Sequence, residues 1–288
     1  MRSASERGDR VYEITSQEED NMNILVCVKQ VPDTTQIKID PVKHTLIREG
    51  VPAILNPFDG YALEAAARLK DKNPDTKIVV VTMGPPQAVA VLKECVAIAA
   101  DKGYLVTGRT FGGSDTLATS YIISHAIKKI EETEGAFDAI FCGKQAIDGD
   151  TAQVGPQISE HLGLPVISYA QDIKIDGDSV IVERQYEDRY HVVKAKMPCL
   201  VTALAELNEP RYMTPGGIFD ACEAEITVWG RADLKDVDDA NLGLKGSPTK
   251  IAKASDKVRK GAGEKVAYDS ADEAVAYIMG KLKEKHVI

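Results

Sequence analysis

From residue 22 onward the chain alternates short, mostly apolar runs with longer stretches whose apolar residues recur every three or four positions. The runs at 24–31, 77–83, 104–106, 138–142 and 199–203 predict strands buried on both faces. The stretches at 58–70, 87–99, 115–132 and 151–162 predict amphipathic helices, the first with Ala62, Leu63, Ala66 and Leu69 on its inner face, the last stopped by Gly163. Strand and helix in regular succession call for an α/β fold, a doubly wound parallel sheet covered by helices on both sides.

Three segments depart from that rhythm. Residues 166–193 alternate apolar and polar positions around Asp176-Gly177, which predicts an antiparallel hairpin pairing 173–175 with 180–182. A shorter hairpin is expected at 37–39 and 45–47, around Pro41. Residues 227–265 show little periodicity, with Asp233, Asp236, Asp238 and Asp239 among scattered glycines. Helical spacing returns only at 270–285, where Ala274, Tyr277, Ile278 and Leu282 form a stripe. The expected organisation is a nucleotide-binding domain at 22–226 and an extended C-terminal arm with its helix at 227–288. Residues 1–21 are polar and aperiodic, and are expected to be a disordered tail or an extension upstream of a true start at Met22.

The most informative stretch joins the run at 138–142 to the helix after it: Gly143-Lys144-Gln145-Ala146-Ile147-Asp148-Gly149-Asp150-Thr151-Ala152-Gln153-Val154-Gly155-Pro156. Gly143 and Gly149 permit backbone conformations in which successive N–H groups turn toward one ligand. Asp150 and Gln153 stand at capping-box spacing, which would begin the helix there and aim its positive end at the loop. This is the chemistry of a phosphate cradle. The plain alternative is an ordinary strand-to-helix turn, and for Lys29 and Lys144 a solvated surface lysine.

Composition removes several function classes. The 288 residues are 44% hydrophobic and 27% charged, enough for one α/β core and an appendage. A net charge of -9 argues against nucleic-acid binding. No apolar run approaches the ~20 residues that span a bilayer, which with the polar N-terminus leads to a cytoplasmic expectation. The five cysteines and five histidines are dispersed without zinc spacing, so no metal is expected, and no nucleophile stands in a Ser-His-Asp arrangement.

The 143–156 loop resembles the nucleotide-binding loop of electron transfer flavoprotein β subunits. Three further motifs follow in that family's order: residues 22–33 resemble its opening strand, Asn56-Pro57-Phe58-Asp59 its first helix start, and Leu207-Asn208-Glu209-Pro210-Arg211-Tyr212 the segment before its partner-recognition loop. The likeness implies a sheet of the adenine-nucleotide-binding type. It implies that Cys27, Val28 and Lys29 line a nucleotide, that Asn56, Pro57, Phe58 and Asp59 hold its adenosine with Met83 packed beside them, and that Gly143, Lys144, Gln145, Ala146, Ile147, Asp148, Gly149, Asp150, Thr151, Ala152, Gln153 and Val154 hold adenine, ribose and phosphates.

One branch of that family keeps AMP in this pocket as structural filler, while the electron-bifurcating branch keeps a second FAD. Gly149, Thr151 and Ala152 resemble the FAD form, so FAD is expected, with AMP as the alternative. The implied partners are the family's α subunit, NADH, an acyl-CoA or hydroxy-acid dehydrogenase, and ferredoxin or flavodoxin. Arg211, Tyr212, Met213, Pro215, Ile218 and Phe219 are the expected docking residues, although the lysine-rich run of the AMP-type proteins is absent here. On the arm, Trp229, Leu242, Leu244 and Pro248 are expected as anchors on the α subunit. A third reading is an adenine-nucleotide-binding stress or signalling protein of similar fold.

Overall fold

The computed structural model describes residues 21–33, 52–249 and 261–288. Residues 1–20 of the expected tail at 1–21, and the small hairpin at 37–47, lie outside the described residues. The chain divides into two compact units, the second containing the C-terminal residues 253–288.

In the first unit the order is β1 (Asn23–Cys27), β2 (Gln30–Pro32), β3 (Ala53–Leu55), α1 (Pro57–Lys72), β4 (Lys77–Met83), α2 (Val89–Ile98), β5 (Lys102–Val106), α3 (Thr116–Glu134), β6 (Ala139–Gly143), α4 (Val154–Leu162), β7 (Val166–Asp176), β8 (Ser179–Gln185), β9 (Tyr190–Lys196), β10 (Cys199–Ala203), α5 (Pro215–Glu223) and β11 (Ile226–Trp229). Among the described residues one nine-stranded sheet runs β11-β5-β4-β1-β6-β10-β7-β8-β9. It is parallel from β11 to β7 and antiparallel through β8 and β9. The alternation along β1 sends Ile24 and Val26 into a core with Leu63 and Leu92 of α1 and α2. Leu25 and Cys27 go to the other face, with Ile122, Ile127 and Ile130 of α3 and Ile158 of α4. Several helix ends have a local cause. Pro57 stands at the start of α1. Asp115 caps α3 by accepting from Ala118 N at 3.0 Å. Gly163, left-handed at φ 68, closes α4.

Four sequence expectations change. The run at 24–31 is two strands, because Lys29 N donates to Asp59 Oδ2 at 2.8 Å and leaves the ladder there; Gln30–Pro32 then pairs antiparallel with Ala53–Leu55. The last helix of the α/β run begins at Val154 and not at 151, with no side-chain cap. Asp150 and Ala152 are left-handed (φ 53 and 52) and cannot enter a first helical turn, and Asp150 Oδ1 is taken by Gln145 Nε2 at 2.7 Å. The hairpin forms as expected, with Ile173 opposite Val182, Ile175 opposite Val180 and Gly177 at φ 57, but a third strand, β9, extends it.

The fourth change falls on the segment read as aperiodic. Ile226–Trp229 adds to the sheet beside β5. Trp229, Leu234, Val237 and Leu242 are buried in this chain's own core, so Trp229 and Leu242 are not surface anchors; Leu244 and Pro248 are exposed. Trp229 packs 4.9 Å from the Tyr104 ring, with Lys129 Nζ 4.6 Å over its own ring. At the opposite end of the sheet from the loop, Glu134 closes α3 in a buried charge cluster, bridged to Lys77 at 2.5 Å and Lys102 at 3.0 Å and hydrogen-bonded by Tyr104. Burial would raise its pKa, but the hydrogen bonds from Lys77, Tyr104 and Lys102 outweigh that and hold it at about 2.

The C-terminal unit contains α6 (Ala271–Glu284), capped by Ser270, whose Oγ accepts from Glu273 N at 3.3 Å. Val275, Ile278 and Met279 of this helix are exposed. Among the described residues no helix is long and apolar enough to cross a membrane, and no three His, Cys, Asp or Glu side chains gather as a metal site would require.

Candidate nucleotide-binding site

The sheet order reverses between β1 and β6: β4 and β5 lie beyond β1 on one side, β10 and β7 beyond β6 on the other. In an open α/β sheet the crevice beyond the carboxyl ends of two such strands is where ligands bind. Cys27 stands opposite Cys142 at that end, so residues 28–29 and the loop from Gly143 flank the crevice.

The first turn of α1 holds both flanks. Asn56 is fully buried and occupies the helix's capping position, yet its side chain makes no cap bond. It accepts from Ile147 N at 3.1 Å and donates from Nδ2 to Gln145 O at 2.9 Å, so the loop backbone takes both its polar atoms. Asn56 N also donates to Lys29 O at 2.9 Å. Asp59, one helical turn on, accepts from Lys29 N at 2.8 Å and from Gly143 N at 3.1 Å. Its carboxyl is pushed up to about 7 by burial, against the lowering effect of hydrogen bonds from Asn56, Lys29 and Gly143. A side chain on Gly143 would clash with that carboxyl and come within 2.6 Å of the Phe58 carbonyl carbon, so glycine is required there by close approach.

Beyond Gly143, Lys144 N donates to Ala203 O at 2.9 Å, and Gly149 N and Asp150 N both donate to Ala146 O (3.2 and 2.9 Å), curling the loop on itself. Lys29 Nζ meets Asp148 Oδ1 at 2.6 Å across the crevice. Gln153 Oε1 accepts from Thr116 Oγ1 at 2.9 Å, tying the start of α4 to α3. Gly149 faces open space, with nothing within 4 Å of where a Cβ would stand, and Thr151 is exposed beside it.

The structure therefore links Lys29, Asn56, Asp59, Gly143, Gln145, Ile147, Asp148 and Asp150 directly. Val28 is buried on the α1 side of the sheet, and Met83 packs against the opposite core. Phe58 is half-buried, 6.2 Å from the Tyr61 ring. Sequence reasoning missed Tyr169, which no periodicity marks. Left-handed at φ 64, it gives its N–H to Thr202 Oγ1 at 3.0 Å and puts its ring 5.4 Å from Lys144 Nζ.

A separate cleft of about 200 Å³ beside α1 is lined by Asn56, Tyr61, Glu64, Glu94 and Arg211. Its one cation, Arg211, is already bound to Glu64, so this cleft has no free positive charge among the residues named to meet a phosphate.

The expected docking residues divide. Tyr212 is 95% and Phe219 74% exposed, and Met213, Pro215 and Ile218 are also exposed. α5, which carries the last three of these five in sequence, lies close on α2, where a side chain at Gly217 would strike the Ala97 carbonyl. Arg211 is occupied within the chain. Its guanidinium meets Glu64 at 2.8 Å and Asp71 at 2.6 Å, and its N–H meets Glu64 Oε2 at 3.2 Å. Burial opposes the ionised form of Glu64, but the hydrogen bonds from Arg211 and Arg68 lower its pKa. Asn208 Nδ2 adds a bond to Tyr61 O at 2.9 Å, so residues 207–211 are fastened to α1. Glu64 was not foreseen because an acidic residue inside an amphipathic helix reads as solvated.

Comparison with known proteins adds an independent line. A family model described as the electron transfer flavoprotein domain matches residues 43–234. The chain is 54% identical over 267 residues to an electron transfer flavoprotein subunit beta from Clostridium acetobutylicum, covering 93% of this chain and 100% of that protein. It is 51% identical over 267 residues, with the same coverage, to the caffeyl-CoA reductase-Etf complex subunit CarD of Acetobacterium woodii. It is 46% identical over 273 residues to the acryloyl-CoA reductase electron transfer subunit gamma of Anaerotignum propionicum, again covering 93% and 100%.

Proposed function

The chain belongs to the electron transfer flavoprotein family as a β-type subunit, and from that premise we propose that it is the FAD-holding β subunit of an electron-bifurcating heterodimer. In this reading NADH would be the hydride donor at this subunit, with a dehydrogenase, reached through the α subunit, and ferredoxin or flavodoxin as the two one-electron acceptors. FAD supplies the redox chemistry when bound, and the chain supplies position, charge and exclusion of water.

The observation that carries the proposal is the form of the loop. Asp150 and Ala152 are left-handed on either side of the exposed Thr151, Gly149 beside them faces open space, and the start of α4 follows at once. Alternating backbone conformations of this kind turn N–H groups toward an anion, and the helix start adds roughly 0.3 to 1 kcal/mol per favourable charge contact. Lys29 and Thr151 would meet phosphate oxygens, with Asp148 or Asp150 accepting from ribose hydroxyls. Two of the relatives are named for complexes with CoA-ester reductases, which favours an acyl-CoA dehydrogenase over a hydroxy-acid dehydrogenase as partner. Tyr212, Met213, Pro215, Ile218 and Phe219 would form the dehydrogenase contact. The exposed Val275, Ile278 and Met279 of α6 would be covered by the α subunit.

The test is stoichiometry. Acid release and chromatography of the co-purified heterodimer should give two FAD per dimer. One FAD with one AMP would replace the bifurcating reading with a structural, dehydrogenase-docking role and leave the family assignment intact.

A further inference from the structure

Asp59 is a buried carboxyl group whose two oxygens are both spent on backbone. One accepts the N–H of Lys29 at the end of β1, the other the N–H of Gly143 at the end of β6. These are the two strands between which the crevice opens, and the 143–150 loop hangs from the second. Asn56, three residues earlier, clamps the same loop at Gln145 and Ile147. No slack exists at the Asp59 end, since the backbone of Phe58 and of Asp59 leaves no room for even a methyl group on Gly143.

We propose that Asp59 is a positioning residue that seats the nucleotide loop only while its carboxyl group is ionised, making nucleotide binding at this site proton-sensitive. The proposal rests on the crevice between β1 and β6 being the nucleotide site. An ionised carboxylate accepts from both N–H groups. Protonation turns one of the two oxygens into a hydroxyl, a far weaker acceptor than a carboxylate oxygen, so either Lys29 N–H or Gly143 N–H is held only weakly. Burial places that change near neutral pH, at about 7.

The groups facing Asp59 are Lys29 from β1, with Asp148 behind it in the loop, Cys142 from β6 and Cys95 from α2. The Cys95 thiol is pushed well up by burial; that of Cys142 is pushed well up by its contact with Cys27 and by burial. Direct repulsion between Asp59 and a bound phosphate would act the other way, tightening binding as the carboxyl group takes up its proton. The sign of the pH dependence therefore separates the two effects.

The experiment titrates FAD, and separately AMP, into the nucleotide-stripped α/β heterodimer by calorimetry from pH 8 to pH 6. The ionised fraction of a group with pKa about 7 falls about tenfold over that range, so affinity should fall about tenfold. Asp59→Asn should weaken binding at pH 8 by about the same factor, since one amide oxygen cannot serve both N–H groups, and should abolish the pH dependence. Asp148→Asn and Lys29→Met should retain the dependence. A wild-type affinity that is flat or rises toward pH 6 overturns the proposal, and needs no variant to fold. Gly149→Asp serves as the control on the site. If it weakens binding while the pH response is absent, the clamp is wrong; if it too changes nothing, the crevice is not the nucleotide site.

Discussion

Gly143 and Asp59 specify each other: the carboxyl oxygen that accepts the Gly143 N–H at 3.1 Å stands where a side chain on residue 143 would have to go. The remaining neighbours, Phe58 C at 2.6 Å and Asp59 N at 2.7 Å from that position, are backbone and cannot swing aside. A buried acid near the start of a helix and a glycine at the end of a strand 84 residues away in sequence are thus one structural unit.

The two glycines of the loop should respond oppositely. Gly143→Ala forces the start of α1 away from β6, and overpacking of that kind costs about 1 to 3 kcal/mol. Gly149→Ala meets nothing within 4 Å and should stay within about 0.5 kcal/mol of wild type. Denaturant unfolding measures both. Equal stability of the two variants would mean that the contact between α1 and β6 is not as described. Gly149→Asp then becomes a clean electrostatic probe. Charges about 4 Å apart repel by roughly 1 to 4 kcal/mol, so nucleotide affinity should fall about tenfold or more without loss of stability.

The central parallel strands were readable from sequence because they are buried on both faces and so carry apolar runs, as at 78–81 and 199–201. β9 and β11 were not, for the opposite reason: Tyr190, Val192 and Val228 are exposed, and a short half-wet strand carries too little contrast to stand out. The capping-box spacing of Asp150 and Gln153 does not mark the start of α4 because spacing says nothing of φ, and both Asp150 itself and Ala152 after it are left-handed. At the site, glycine spacing marked the loop, but not that Asn56 and Asp59 face inward to hold it. That depends on which strands become neighbours.

Arg211 and Phe219, eight positions apart in the expected docking segment, should fail differently. Arg211→Met leaves the buried Glu64 with Arg68 alone and unfastens residues 207–211, costing roughly 1 to 3 kcal/mol by thermal or denaturant unfolding. Phe219 is 74% exposed, so Phe219→Asp should leave stability and bound nucleotide unchanged. Electron delivery from the NADH-reduced heterodimer to its dehydrogenase should drop at least about tenfold if Phe219 is a central anchor. Undiminished delivery would move the docking surface elsewhere, and a loss of stability would make Phe219 part of the fold.

Glu134 offers a pH test of the fold remote from the loop. Its folded-state pKa of about 2 lies below the ordinary value of 4.5, so the cluster with Lys77, Lys102 and Tyr104 contributes stability that is present above about 4.5 and lost as pH falls toward about 2. Both lysines are at least a third exposed, and solvent screening reduces the full linkage value to about 1 to 2 kcal/mol at neutral pH. Asp59 runs the other way. Its raised pKa means the folded state holds the proton more tightly, so its contribution weakens as pH rises from about 4 to about 7. Total stability mixes the two, but the difference between wild type and Glu134→Gln removes the part due to Asp59. That difference should be about 1 to 2 kcal/mol at pH 7 and should shrink toward zero between pH 4.5 and pH 2, as followed by urea unfolding at each pH. A difference that stays constant across the acid range would show that Glu134 acts by packing alone, with its charge contributing nothing.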